Sequence, residues 1–115
     1  EGVVKSAEEI NGNLVMVARI DASTDALRAM CDALRDKYAN GVALLAGVSD
    51  GKVAIAAGVG KDAVAAGVRA GDLVKVAAKI CGGGGGGRPD SATAGGRDAS
   101  KLGEALAAVK ETLKA

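Results

Sequence analysis

Six consecutive glycines, Gly82–Gly87, sit in the segment CGGGGGGRPDSATAGG that runs from Cys81 to Gly96. A run without Cβ atoms suits a disordered linker, a phosphate cradle or a tight loop packed against a partner. Its main-chain N–H groups can approach a phosphate or a base unobstructed and form an anion nest. The run is not a P-loop, because no Gly-Lys-Ser/Thr ends it. It also follows a helical pattern, whereas a dinucleotide fingerprint follows a strand. Two details argue against plain flexibility. Arg88-Pro89-Asp90 comes next, and Pro89 fixes φ and holds Arg88 on a stiff segment. Gly95-Gly96 then returns just before a helix start, which places two glycine segments and a helix N-terminus around one concave, N–H-rich spot.

The rest of the chain must build a core from small side chains. Hydrophobic residues make up 49% of the 115, mostly Ala and Val, with no Phe or Trp and Tyr38 as the only aromatic. Such a core needs closely approaching elements, with Leu, Ile and Val at regular spacing carrying the burial energy. Val3-Val4 is a short apolar start, followed by a turn at Asn11-Gly12. Leu14 to Ile20 reads as a buried strand. Ser23 or Thr24 offers an N-cap to a helix whose apolar face is Leu27, Met30, Cys31, Leu34 and Tyr38. Arg28, Asp32, Arg35 and Asp36 take its wet side, and Gly41 lies just past its end. Val42 to Val48 is a second strand, and Asp50-Gly51 signals a hairpin into Val53-Ala54-Ile55-Ala56-Ala57. A short helix around Asp62 to Ala66, closed by Gly67, precedes a helix from Asp72 to Ile80 with Asp72 as N-cap. Asp98 or Ser100 can cap a final helix whose Leu102, Leu106, Val109 and Leu113 share one side.

This order predicts an α/β fold: a small mixed β-sheet with a parallel strand-helix-strand unit plus a β-hairpin, helices packed on the sheet, and a glycine-rich loop before the C-terminal helix. Residues 1–115 form a single domain with no internal repeat. Since the chain opens at Glu1 without Met, it is expected to be excised from a longer protein.

The net charge of +1 is unevenly spread. Residues 1–49 hold five Lys/Arg against seven Asp/Glu, and residues 50–115 hold ten against seven. The basic excess lies in the half that contains the glycines, which hints at an anionic partner. The chain has no His, which removes the commonest general base and metal ligand and every nucleophile–His arrangement. Cys31 and Cys81 without His make no zinc site and read as reduced, buried thiols. No catalytic and no metal-binding residue is expected. No signal peptide or long apolar span is present, so a cytoplasmic protein without membrane contact is expected. With Tyr38 as its one aromatic, the chain lacks the rings on which single-stranded bases usually stack.

The segment GGGGGGRPDSATAGG closely resembles the C-terminal signature of alanyl-tRNA synthetases: Gly-Gly-any-Gly-Gly-Gly-Arg-Pro-Asp/Asn, then Ala-Gln-Ala/Gly-Gly-Gly. GKVAIAAGVGKDAV and VRAGDLVKVAAKI look like the segments that precede it, and ALAAVKETL fits the terminal helix. The likeness covers the chain from about Leu14 onward. It departs at Gly84, often Lys or Arg in the family, at Ser91 and at Thr93. The resemblance implies the C-Ala domain, of the DHH-associated group: a non-catalytic tRNA-binding accessory that contacts the elbow of folded tRNA and couples aminoacylation with editing. It implies as partners alanine-specific tRNA, the other domains of the parent synthetase and, as in some members, a second copy in a homodimer. The parent would be an alanine-tRNA ligase using ATP, Mg and a zinc site elsewhere, with no cofactor in this domain. A free-standing alanyl editing protein can carry a similar tail.

On this reading the nucleic-acid-binding residues are Gly82, Gly83, Gly84, Gly85, Gly86, Gly87, Arg88, Gly95 and Gly96, with Lys79 and Lys101 flanking them. Arg88 either pairs with phosphate or braces its own loop through Asp90. Two rival readings stand beside it. One is the substrate-binding domain of a DHH-family phosphoesterase or exonuclease, whose glycine loop typically meets a His where Arg88 stands here. The other is a purely structural or dimerising module.

Overall fold

The computed structural model describes residues 7–114, so Val3-Val4 lies outside the described residues. In chain order the elements are β1 (Glu8–Ile10), β2 (Asn13–Arg19), α1 (Thr24–Lys37), β3 (Gly41–Ser49), β4 (Lys52–Val59), α2 (Lys61–Ala65), α3 (Ala70–Ile80), β5 (Gly84–Gly87), β6 (Ser91–Gly96), a 3-10 turn (Ala99–Lys101) and α4 (Leu102–Lys114). They form one six-stranded sheet of order β1-β2-β3-β4-β6-β5. β2 and β3 are parallel and every other pair is antiparallel. The mixed sheet, the parallel β2-α1-β3 unit and the β3-β4 hairpin match the sequence expectation. The glycine run does not remain a loop. It enters the sheet as edge strand β5.

Local chemistry explains the elements. Asp50 and Gly51 hold φ of 53° and 76°, the left-handed pair that a two-residue hairpin turn needs. Asn11 and Gly12 do the same at 54° and 84°, which pairs β1 with β2. Of the two candidate caps, Ser23 is used: its hydroxyl accepts the Ala26 N–H at 3.2 Å. α3 begins two residues before the expected Asp72. Its Ala70 N–H donates to Pro89 O at 2.7 Å, so a tertiary contact replaces the side-chain cap.

The period-two pattern of β3 divides the core into two layers. Val42, Leu44 and Ala46 join Val53, Ile55 and Ala57 under α3 and α4, meeting Val74, Ala77, Ala78, Leu102, Ala105 and Val109. Ala43 and Leu45 face the other way with Met16, Ala54 and Ala56, against Leu27 and Cys31 of α1. The second layer is thin because its side chains are small. A Cβ on Gly58 would lie 2.5 Å from Cys31 O, so only glycine lets α1 settle this close to β4.

Both cysteines are free and fully buried. Burial pushes the Cys31 thiol up from 9.0 to about 12, opposed by a Leu45 main-chain hydrogen bond and reinforced by Asp32. Burial also raises Cys81, with Asp98 and Glu104 adding to it. No helix among the described residues is long and apolar enough to cross a membrane.

A pH dependence follows. Above the ordinary thiol value of 9.0 the unfolded chain releases the Cys31 proton while the folded chain keeps it. Stability from this group is therefore fully present below that value and is lost as pH rises toward about 12. Urea unfolding compared at about pH 8 and about pH 10 should show the decline, and Cys31→Ala should make it shallower, leaving the part due to Cys81. An equal decline in both proteins would exclude the thiol as the cause.

Candidate nucleic-acid interface

The glycines divide into groups with different physical jobs. Gly82 adopts φ of 72° and donates its N–H to Lys79 O at 3.3 Å, while Gly83 N–H reaches Ala78 O at 2.8 Å. That pair of bonds is a Schellman ending for α3, so the first two glycines stop a helix. Gly84–Gly87 then pair with Ala92–Gly95 of β6. Arg88 N–H donates to Ser91 O at 2.9 Å. Alternation along the ladder turns the main-chain groups of Gly84 and Gly86 toward β6 and leaves those of Gly85 and Gly87 on the outer edge.

Steric demand is equally uneven. A Cβ on Gly83 would sit 2.0 Å from Gly95 O, one on Gly85 2.4 Å from the Ala94 Cβ, and one on Gly87 2.8 Å from Ser91 O. One on Gly96 would press into Cys81 at 2.6 Å. At Gly84 a Cβ meets nothing within 4 Å, and at Gly86 only the end of Lys75 at 3.4 Å.

The arrangement differs from an N–H nest. The N–H groups of Gly82 and Gly83 are already bonded, and the helix N-terminus after Gly96 is filled by Asp98, whose carboxylate accepts from Ser100 N–H at 3.1 Å. What the run presents is a bare Cα surface with few free donors. Gly82, Gly83 and Gly84, side by side with Gly95 and Gly96, line an open depression of about 670 Å³ together with Lys52, Val53 and Arg97. Register places Lys52 there: Val53 pairs with Gly96, and Lys52 is the next residue along β4. Lys79 and Lys101 are exposed but do not line this depression. Lys52 and Arg97 were missed in the sequence. Adjacency to Gly96 could have flagged Arg97, whereas Lys52 becomes visible only through strand pairing.

The Arg88-Pro89-Asp90 turn is held from three directions. Pro89 O accepts the Ala70 N–H at 2.7 Å, and Asp90 O accepts the Val59 N–H at 3.0 Å. Arg35 of α1 donates to Asp90 O at 3.2 Å and pairs with the Asp90 carboxylate at 3.2 Å. Arg35 was expected on the wet side of α1, yet its side chain is only 20% exposed and serves as the brace. Arg88 lies 3.7 Å from Asp90 with its side chain 70% exposed, so it stands free in solvent more than it braces the turn. Among the described residues no group of three or more His, Cys, Asp or Glu could hold a metal ion.

The chain matches the DHHA1 domain family over residues 11–115. It is 48% identical over 113 residues to the alanine–tRNA ligase of Bacillus pumilus, covering 97% of this chain and 13% of that protein. It is 50% identical over 108 residues to the alanine–tRNA ligase of Shouchella clausii, covering 93% of this chain and 12% of that protein. The chain thus spans about an eighth of the curated relatives it matches. Its fold is similar to the crystal structure of the C-Ala domain from Aquifex aeolicus alanyl-tRNA synthetase, with a TM-score of 0.86 and 28% identity over 96% of this chain and 99% of that one.

The two classes of glycine should separate in unfolding experiments. Gly85→Ala forces a Cβ into β6 and should cost about 1–3 kcal/mol, as overpacking does. Gly84→Ala has open space and ordinary φ and should be neutral or stabilising by up to about 1 kcal/mol, through lost freedom of the unfolded chain. Equal effects at both positions would contradict a paired β5.

Proposed function

The chain belongs to the DHHA1 domain family, and from that premise we propose that it is the non-catalytic, tRNA-binding C-Ala module of an alanine-tRNA ligase. In this reading the module works in the cytoplasm on alanine-specific tRNA. It docks with the other domains of its parent and contacts the elbow of the folded RNA, so that aminoacylation and editing act on one bound tRNA. ATP, Mg and zinc chemistry belong to those other domains. The observation that carries the proposal is the glycine-lined depression between Lys52 and Arg97. A surface without Cβ atoms lets a sugar-phosphate backbone approach closely, two cations at its rim attract phosphate, and no aromatic ring is there to stack on a base. Gly82–Gly87, Gly95 and Gly96 form the contact surface, with Arg88 projecting beside it and Lys79 and Lys101 adding longer-range attraction. The phosphoesterase alternative finds no support in the site, since Arg88 stands where a His would act and the chain has no His.

A tRNA transcript should bind this chain more tightly than single-stranded RNA of equal length, with affinity falling steeply as salt rises. Equal binding of the two RNAs, or none at low salt, would defeat the proposal. Lys52→Ala and Arg97→Ala should each lower the salt slope by about one. Gly84→Lys, at a position with room for a side chain, should raise affinity and steepen the slope by about one.

A further inference from the structure

Resting on the RNA-binding reading above, we infer that Arg28 and Arg88 form a second phosphate contact, separate from the glycine depression and set at the far end of the β5–β6 ribbon. The two arginines, with Gly86, Gly87, Ser91 and Thr93, line a notch of about 170 Å³ between α1 and the hairpin. A strand advances about 3.3 Å per residue, so Arg88 lies on the order of 15 Å from Gly83 in the depression. One phosphate cannot span that distance. The two sites engage different phosphates of one folded RNA, and the ribbon between them sets the spacing.

Two carboxylates, Asp32 beside Arg28 and Asp90 beside Arg88, lie near the notch and could each neutralise an arginine. Arg35 draws Asp90 off instead, and the Ser91 hydroxyl engages Asp32. The Arg35 Nη1 lies 3.2 Å from the Asp90 carboxylate and 3.7 Å from that of Asp32, and Ser91 Oγ donates to Asp32 at 3.1 Å. Arg28 is left 4.0 Å from Asp32 and Arg88 3.7 Å from Asp90, with side chains 54% and 70% exposed. Each guanidinium can therefore offer its planar fork to a phosphate without first breaking a tight ion pair. Arg35 is the positioning residue of this cluster, because it fixes the turn that carries Arg88 and holds the competing Asp90 carboxylate.

The test is binding of a tRNA transcript by the whole chain, titrated between about 50 and about 200 mM salt. Arg28→Gln and Arg88→Gln should each reduce the salt slope by about 0.9, so that the affinity deficit is about 3.5-fold larger at the low-salt end. Thermal melting should not change, since both side chains are exposed and loosely paired. Asp32→Asn should act in the opposite sense and tighten binding, because it removes the charge facing Arg28 and keeps an oxygen for Ser91. If the unaltered chain binds tRNA and Arg28→Gln leaves affinity and slope unchanged, this inference falls and the wider RNA reading survives. Weakening by Asp32→Asn would also overturn it, marking the cluster as structural. Absence of tRNA binding by the unaltered chain would remove both readings together.

Discussion

The capture of Asp90 by Arg35, with the two main-chain bonds beside it, is the constraint on which the glycine surface depends. A four-residue strand made only of glycine has no side chains to bury and no hydrophobic alternation to set its register. It also loses more backbone freedom on ordering than any other sequence would. Its ends must therefore be fixed from outside. The Schellman ending of α3 fixes one, through Gly82 and Gly83. The Arg88-Pro89-Asp90 turn fixes the other, tied to α1, β4 and α3. Between two anchored ends, the main-chain ladder to β6 is enough to give an ordered edge.

This arrangement explains why a run that resembles a linker is instead a surface. Side chains on Gly83, Gly85 or Gly87 would collide with β6, so the close pairing and the bare exterior have a single cause. The same economy governs the core. Gly96 lies against Cys81 and Gly58 against Cys31, so each buried thiol marks a place where a helix meets a strand with no room for another atom. With small residues throughout, the sheet carries helices on both faces and still brings β4 and β6 together, which sets Lys52 beside Gly96.

Much of the architecture was legible in the residues. Alternation in Val42–Ala46, the Asp50-Gly51 turn and the Ser23 cap each carry a local signal, and the structure follows them. β5 carried none, because glycine neither favours a strand nor shows a face. Its pairing is a tertiary fact, decided by the turn and by β6. Arg35 was misplaced for a related reason: helical periodicity assigns it to the solvent side, and only the arrival of Asp90 from a distant segment covers it. Lys52 was hidden because its neighbour in space lies more than forty positions away in the chain. The family resemblance singled out the glycine segment, while its division into cap, strand and turn needed the fold.

We propose that the glycine ribbon is ordered before RNA arrives and is the surface RNA touches. Amide NMR of the chain alone and during titration with a tRNA transcript tests both halves at once. Amides of β6 opposite β5 should be protected from exchange in the free protein. RNA should shift the resonances of Gly82–Gly87, Gly95–Arg97 and Lys52 first. Unprotected β6 amides in the free chain, or shifts confined to α4 and the β1–β2 hairpin, would contradict this proposal.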